Sequence, residues 1–279
     1  EITWTATFTP TAVTEDATNT CDIAATYTDT AGNTGPTGSS ANYAVDTISP
    51  TVSSNSMNDV ALKAGDTATL TLVFSQAVSA FANADVTCPA GSLSTLSSGD
   101  SITWTATFTP TANTEDDTNT CDVATSYTDA SGNAGAASSS ANYEVETQAP
   151  SASSITMSDT TLIEGETATF TIVFSETVAG FASADDVVCA TGSLAVMAIT
   201  SGSTWAATFT PTAENTDLTN VCTLSTGYTD TAGNTGTAAT SANYIVDGVD
   251  PLITTVSMSD SDLLKGETST LTIVFSEAV

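Results

Sequence analysis

The phrase ITWTATFTPTA at residues 2–12 returns unchanged at 102–112 and, slightly altered, as STWAATFTPTA at 203–213. Trp4, Trp104 and Trp205 mark this register. Cys21, Cys121 and Cys222, Tyr43, Tyr143 and Tyr244, and Pro50, Pro150 and Pro251 keep it. A fixed period constrains architecture before any local pattern does. A spacing of about 100 residues is the size of a self-sufficient domain and far exceeds a solenoid turn. The chain therefore reads as a tandem array: 1–49 is the C-terminal part of one repeat, 50–149 and 150–250 are whole repeats, and 251–279 is the N-terminal part of another. Residue 1 matches position 101 and residue 279 matches position 78, so the expectation is a window on a longer repetitive polypeptide. Arrays of this kind supply length, stiffness or repeated weak binding, which points to a structural or adhesive role before catalysis.

Charge narrows the partners. There are 32 Asp plus Glu against Lys63 and Lys265, with no Arg or His, for a net charge of −30. Phosphate backbones and anionic lipid would be repelled, so neither nucleic-acid binding nor membrane insertion is expected. No apolar run approaches the length of a membrane span. The acids are dispersed among apolar and Thr-rich stretches, unlike a disordered acidic tail. Cations at defined sites, or a salty medium, would relieve the self-repulsion.

The cysteines fall in phase. Cys88 and Cys121 are 33 residues apart, as are Cys189 and Cys222, while the partner of Cys21 would precede residue 1. With no His and no CxxC, structural zinc is a poor alternative. The reading is one disulfide per repeat, Cys88–Cys121 and Cys189–Cys222, and hence an oxidising, extracellular or cell-surface setting.

The repeat unit reads as strands throughout. In ATLTLVF, Ala68, Leu70, Leu72 and Phe74 alternate with Thr69, Thr71 and Val73, and Ile102, Trp104, Ala106 and Phe108 alternate with threonines. Period-two alternation with β-branched polar residues outward marks strands buried on one face. Shorter strands fit 51–56, 85–89, 92–97, 119–128 and 140–146. About seven strands per repeat, separated by Gly, Asn and Asp turns, predict an all-β chain of tandem immunoglobulin-like sandwiches. The cysteines then lie inward on the third and sixth strands. The tryptophans also alternate inward, which makes them core rather than a sugar-binding platform.

Taken in order, GDTATLTLVFS (65–75), FANADVT (81–87), WTATFTPTA (104–112), YTDASGNAG (127–135) and ANYEVETQAP (141–150) resemble the bacterial Ig-like repeats of giant surface adhesins and biofilm-associated proteins. The resemblance covers the whole chain. It implies an extracellular β-sandwich stalk, often stiffened by calcium between domains. The cysteine pair departs from many such repeats, and Glu146 stands where Asp46 and Asp247 stand in the other linkers.

In a seven-strand sandwich the loops after strands two, four and six lie at the pole where the chain enters. The TDxxGN phrase (Asp29/Asn33, Asp129/Asn133, Asp230/Asn234) occupies the last of these loops and should face the preceding linker, with Asp46 before one copy and Glu146 before the next. From the preceding domain come Asp59 or Asp159, after the first strand, and the acids Glu115–Asp117 or Glu214–Asp217, read as the loop after the fifth strand. Convergent carboxylates and amide oxygens are what Ca²⁺ takes, six to eight at about 2.3–2.6 Å. Calcium at Asp46, Asp129 and Asn133, and at Glu146, Asp230 and Asn234, is the cofactor expectation. Asp and Asn before Gly equally make ordinary turns, Glu115–Asp117 fits a solvated face, and Asp66, Glu166 and Glu267 read as surface turn residues.

Catalysis has no His for proton transfer and no Arg for an anion, and the cysteines are committed to bridges. No Lys recurs at a core position for an isopeptide bond. The expected function is the structural stalk of a secreted bacterial surface adhesin or biofilm matrix protein, not an enzyme. The alternative is a subunit of a self-assembling filament or surface layer, and a third reading is a glycan-binding module. Expected partners are neighbouring repeats of the same chain and lateral copies in a fibre.

Overall fold

Alternation of apolar and Thr residues builds strands here because each strand can bury one face while its hydroxyls meet water. The computed structural model describes residues 2–213 and 215–279, in two units, Glu1–Gln148 and Ala149–Val279. The first partial repeat contains β1 (Glu15–Asn19), β2 (Asp22–Ile23), β3 (Gly38–Ser39) and β4 (Tyr43–Asp46). The first whole repeat follows as β5 (Val52–Met57), β6 (Ala61–Lys63), β7 (Ala68–Phe74), β8 (Val86–Thr87), β9 (Gly91–Leu93), β10 (Ser97–Ser98), β11 (Thr103–Pro110), β12 (Glu115–Asn119), β13 (Asp122–Val123), β14 (Ser138–Ser139) and β15 (Tyr143–Glu146).

One sheet of this repeat has the order β10–β11–β7–β5, with β9 also on β11. Its spine is the antiparallel β11–β7 ladder, from Thr103 opposite Val73 to Phe108 opposite Ala68. The facing sheet combines β12–β15–β6 with β14–β13–β8. Here β6 runs parallel to β15, so the first strand begins in one sheet and ends in the other. The all-β expectation is met. The seven expected strands appear as eleven pieces, because the first, fourth, sixth and seventh are each interrupted.

The sixth strand corrects the sequence reading. It begins at Glu115, so Glu115–Asp117 are strand residues of β12, with Glu115 opposite Glu146 and Asp116 opposite Val145. A shift between Asp116 and Asn119 bends the strand before β13. Polar composition hid this strand from the alternation test, since its inward anchor is an asparagine. Asn119 is buried, and its side-chain amide donates to the carbonyls of Asp116 and Tyr143, substituting for ladder bonds lost at the bulge.

Between the sheets lie Leu70, Leu72, Phe74, Phe108, Tyr127 and Tyr143. Phe74 and Phe81 meet Tyr127 edge to face, and Phe108 meets Tyr143 in the same way. Trp104 packs on Phe81 at 5.3 Å, half-buried, as expected of a core residue. The Cys88–Cys121 bridge ties the chain just before β13 to the chain just after β8, with Cys121 fully buried. Gly135 has no substitute, because the Tyr127 ring lies where a Cβ would project.

The second whole repeat copies this plan through β16 (Ala152–Met157), β17 (Thr161–Ile163), β18 (Ala168–Phe174), the single turn α1 (Ser183–Asp186), β19 (Val187–Cys189), β20 (Gly192–Leu194), β21 (Ala198–Ser201), β22 (Thr204–Pro211), β23 (Thr216–Asn220), β24 (Cys222–Leu224), β25 (Ala239–Thr240) and β26 (Tyr244–Asp247). Cys189 and Cys222 are bridged and stand directly opposite in the β19–β24 ladder. Trp205 packs on Phe181. The last partial repeat holds the hairpin of β27 (Ile253–Met258) and β28 (Leu271–Phe275). In the first, Trp4 is 90% exposed. Cys21 is exposed and forms no disulfide among the described residues. Among the described residues no helix is long and apolar enough to cross a membrane.

Candidate functional site

The antiparallel course of β11 and β12–β13 returns the chain to the end of the sandwich where residue 50 enters. The loop from 124 to 137 therefore meets the linker that follows β4. Ala136 N–H donates to the Pro50 carbonyl at 3.1 Å. Asn133 Nδ2 donates to the Asp46 carbonyl at 3.2 Å. The loop after β7 contributes Gln76, whose Nε2 donates to the Ile48 carbonyl at 3.2 Å. The carbonyls of Asp46 at the end of β4, of Ile48 in the linker and of Pro50 where the repeat begins are thus held by the loops of that repeat.

Asp129 organises this contact. Its Oδ1 accepts from the backbone N–H groups of Ser131 and Asn133, both at 2.9 Å. Its Oδ2 accepts from Asn133 Nδ2 and Gln76 Nε2, both at 2.8 Å. Asp129 is only 4% exposed. Burial raises its pKa, but the hydrogen bonds from the Asn133 side chain and from the Asn133, Ser131 and Gly132 backbone outweigh it and hold the carboxyl below its ordinary value. The same loop recurs around Asp29 and Asn33 and around Asp230 and Asn234.

The sequence placed Asp46, Asp129 and Asn133 at one calcium site, and the fold does bring these residues together. The donor set does not fit the ion. A carboxylate offers about four lone-pair positions, and at Asp129 four N–H groups fill them. Asn133 and Gln76 turn their NH₂ ends, not their oxygens, toward the linker carbonyls. Asp46 Oδ1 accepts from Ile48 N–H at 3.1 Å, fixing the linker's own turn. Among the described residues no group of three or more His, Cys, Asp or Glu is arranged to hold a metal.

Of the other candidates, Glu146 ends β15 in register with Glu115 and Lys63, and its Oε1 accepts from Gln148 N–H. Asp230 and Asn234 are buried in their own loop. Asp59 and Asp159 are exposed and accept from the N–H two residues on, Ala61 and Thr161, which is turn chemistry. Asp66, Glu166 and Glu267 each accept from the N–H three residues back, at Lys63, Ile163 and Leu264. Asp217 lies in β23, and Glu214 falls outside the described residues. Sequence reasoning missed Gln76. The only available signal was that Glu176 and Glu277 replace it in the following copies.

The family model described as the bacterial Ig-like domain matches residues 1–45, 46–145 and 146–246. No curated protein matches the sequence. Among solved structures, similarity extends to invasin, described as a bacterial integrin-binding protein, at 11% identity over 87% of this chain and 51% of that chain, with a TM-score of 0.34. It extends to FdeC, an Escherichia coli adhesin, at 17% identity over 82% of this chain and 73% of that chain, with a TM-score of 0.30. The Yersinia pseudotuberculosis adhesin InvE matches at 15% identity over 74% of this chain and 66% of that chain, with a TM-score of 0.25. The chain spans about half the length of the invasin structure. Likenesses this distant say nothing of what the chain binds.

Proposed function

This chain belongs to the bacterial Ig-like domain family, and we propose that it is a segment of the extracellular stalk of a bacterial surface adhesin or biofilm matrix protein. One observation carries the reading: the end of β4 and the linker after it are gripped at the Asp46 and Ile48 carbonyls by the next repeat. Domains joined through such a linker transmit orientation along the chain, which free tethers do not. The disulfides suit an oxidising exterior, and a charge of −30 repels neighbouring threads wherever their carboxylates meet. No catalytic role is proposed. Calcium is no part of the proposal at Asp129, whose two oxygens accept from four N–H groups.

Small-angle scattering of the chain tests the reading. A stalk gives a radius of gyration well above the roughly 19 Å expected of a single globule of this length, and the value, extrapolated to zero concentration, does not shrink as salt is raised. A radius near that of a globule, or one that shrinks continuously with salt as a flexible polyelectrolyte does, would sink it.

A further inference from the structure

The two whole repeats share a fold but not a surface. In the first, the outward positions of the β6–β15–β12/β13–β8 sheet carry Glu144, Glu146, Glu115, Asp117 and Asp122, with Lys63 at one edge. In the second, the counterparts of Lys63, Glu144, Asp117 and Thr87 are Ile163, Ile245, Leu218 and Val188, while Glu115 and Asp122 become Thr216 and Thr223. Only Asp247 remains acidic. Ile163, Leu218 and Val188 are 55%, 60% and 63% exposed.

These residues share one face. Ile163 and Thr216 both stand opposite Asp247, Thr161 stands opposite Ile245, and Val188 stands opposite Thr223. The irregularity between Asp217 and Asn220 sets Leu218 against the stretch of β26 that holds Ile245. The fold does not require the aliphatics, since the first repeat builds the same strands with carboxylates there.

Charge selects the occupant. Elsewhere two copies of a chain at −30 would bring carboxylates together. A cationic partner would be drawn instead to the acidic face of the first repeat. A face whose one carboxylate is Asp247, at its end, is the largely apolar surface on a polyanion and matches itself, and a self-complementary contact is isologous. We propose that the outer face of the β17–β26–β23/β24–β19 sheet is where two copies of this chain associate side by side, with Leu218 and Ile245 at the centre. The proposal is independent of the stalk reading, which concerns orientation along one thread.

Sedimentation of the full 279-residue chain tests it, with hydrogen exchange locating the contact. The wild type is expected to form dimers, more tightly as salt screens the repulsion, with protection gained at 216–220 and 244–247. Leu218→Asp and Ile245→Glu install residues that the first repeat already carries at matching positions, and should weaken the dimer by about tenfold or more. Val188→Thr with Ile163→Lys is the milder second pair, should the first unfold. A chain that stays monomeric overturns the proposal, including one whose face serves another protein. So does association that the folded variants leave unchanged, or protection gained at 2–49 or 251–279 instead.

Discussion

Gln76 Nε2 donates at once to Asp129 Oδ2, at 2.8 Å, and to the Ile48 carbonyl, at 3.2 Å. One neutral amide thereby couples the buried carboxylate of a repeat to the linker that precedes it. Cutting Gln76 to alanine leaves Asp129 with three donors and frees a linker carbonyl.

We expect Gln76→Ala to loosen the junction without unfolding the repeat, at a cost of about 1–2 kcal/mol. Hydrogen exchange at Ala136 N–H, which holds the Pro50 carbonyl, should accelerate roughly tenfold in line with that cost. In the wild type, exchange at Ala136 should be the same with Ca²⁺ and with chelator. If chelator accelerates it, or if Asp129→Ala abolishes measurable calcium uptake, then the ion and not the amide network holds the junction.

Tyr143 sets an alkaline limit. Burial first, then the charges of Asp116 and Asp122, push its pKa up to about 12, and its hydroxyl donates to the Pro89 carbonyl. A raised folded-state pKa contributes stability that is complete below the unfolded value, about 10, and lost as pH rises through the folded one. Thermal stability of the first whole repeat should therefore fall between roughly pH 10 and pH 12, and Tyr143→Phe should flatten part of that decline. An unchanged pH profile in the variant would remove Tyr143 from the account.

A single hydroxyl separates the two bulges. Asn220 Oδ1 accepts from Thr191 Oγ1 at 2.6 Å, whereas the matching Asn119 Oδ1 is buried without a partner, because Ala90 stands in place of Thr191. Both positions already hold positive φ, 56° and 52°. Ala90→Thr should stabilise its repeat by about 0.5–1 kcal/mol, and Thr191→Ala should destabilise the other by about 1–2 kcal/mol. Opposite signs in denaturant melts are the expected result, and equal signs would show that strain at the turn outweighs the hydrogen bond.

Reduction of the two disulfides should lower the stability of each whole repeat by roughly 3–4 kcal/mol if loop-closure entropy dominates. Cys121→Ala alone should reproduce the effect in the first repeat and leave the second untouched. Mass mapping that finds Cys88 joined to any cysteine but Cys121 would contradict the pairing.

Much of this was legible in the residues. The recurring Trp, Cys, Tyr and Pro gave the array, alternation in 68–74 and 103–110 gave the central ladder, and the equal cysteine spacing gave the bridges. β12 was illegible because its inward anchor is Asn119, polar in composition yet buried by its own hydrogen bonds. The placement of the TDxxGN loop beside the linker followed from counting strands, but the filling of Asp129 by amides did not.

What the sequence determined by itself is whatever depends on period and alternation: the repeat, the sandwich, the inward cysteines and the extreme acidity. Those properties are local or translational, and the chain states them directly. Tertiary structure alone decided which atoms meet. Gln76 and Asp129 lie 53 residues apart and touch only because two loops return to one pole. Leu218, Ile245 and Val188 become a face only once register and bulge align three strands. Hydrogen bonds have direction and range of a few ångströms, so residue types name the candidates, and only the folded geometry fixes the donor, the acceptor and the side of the sheet.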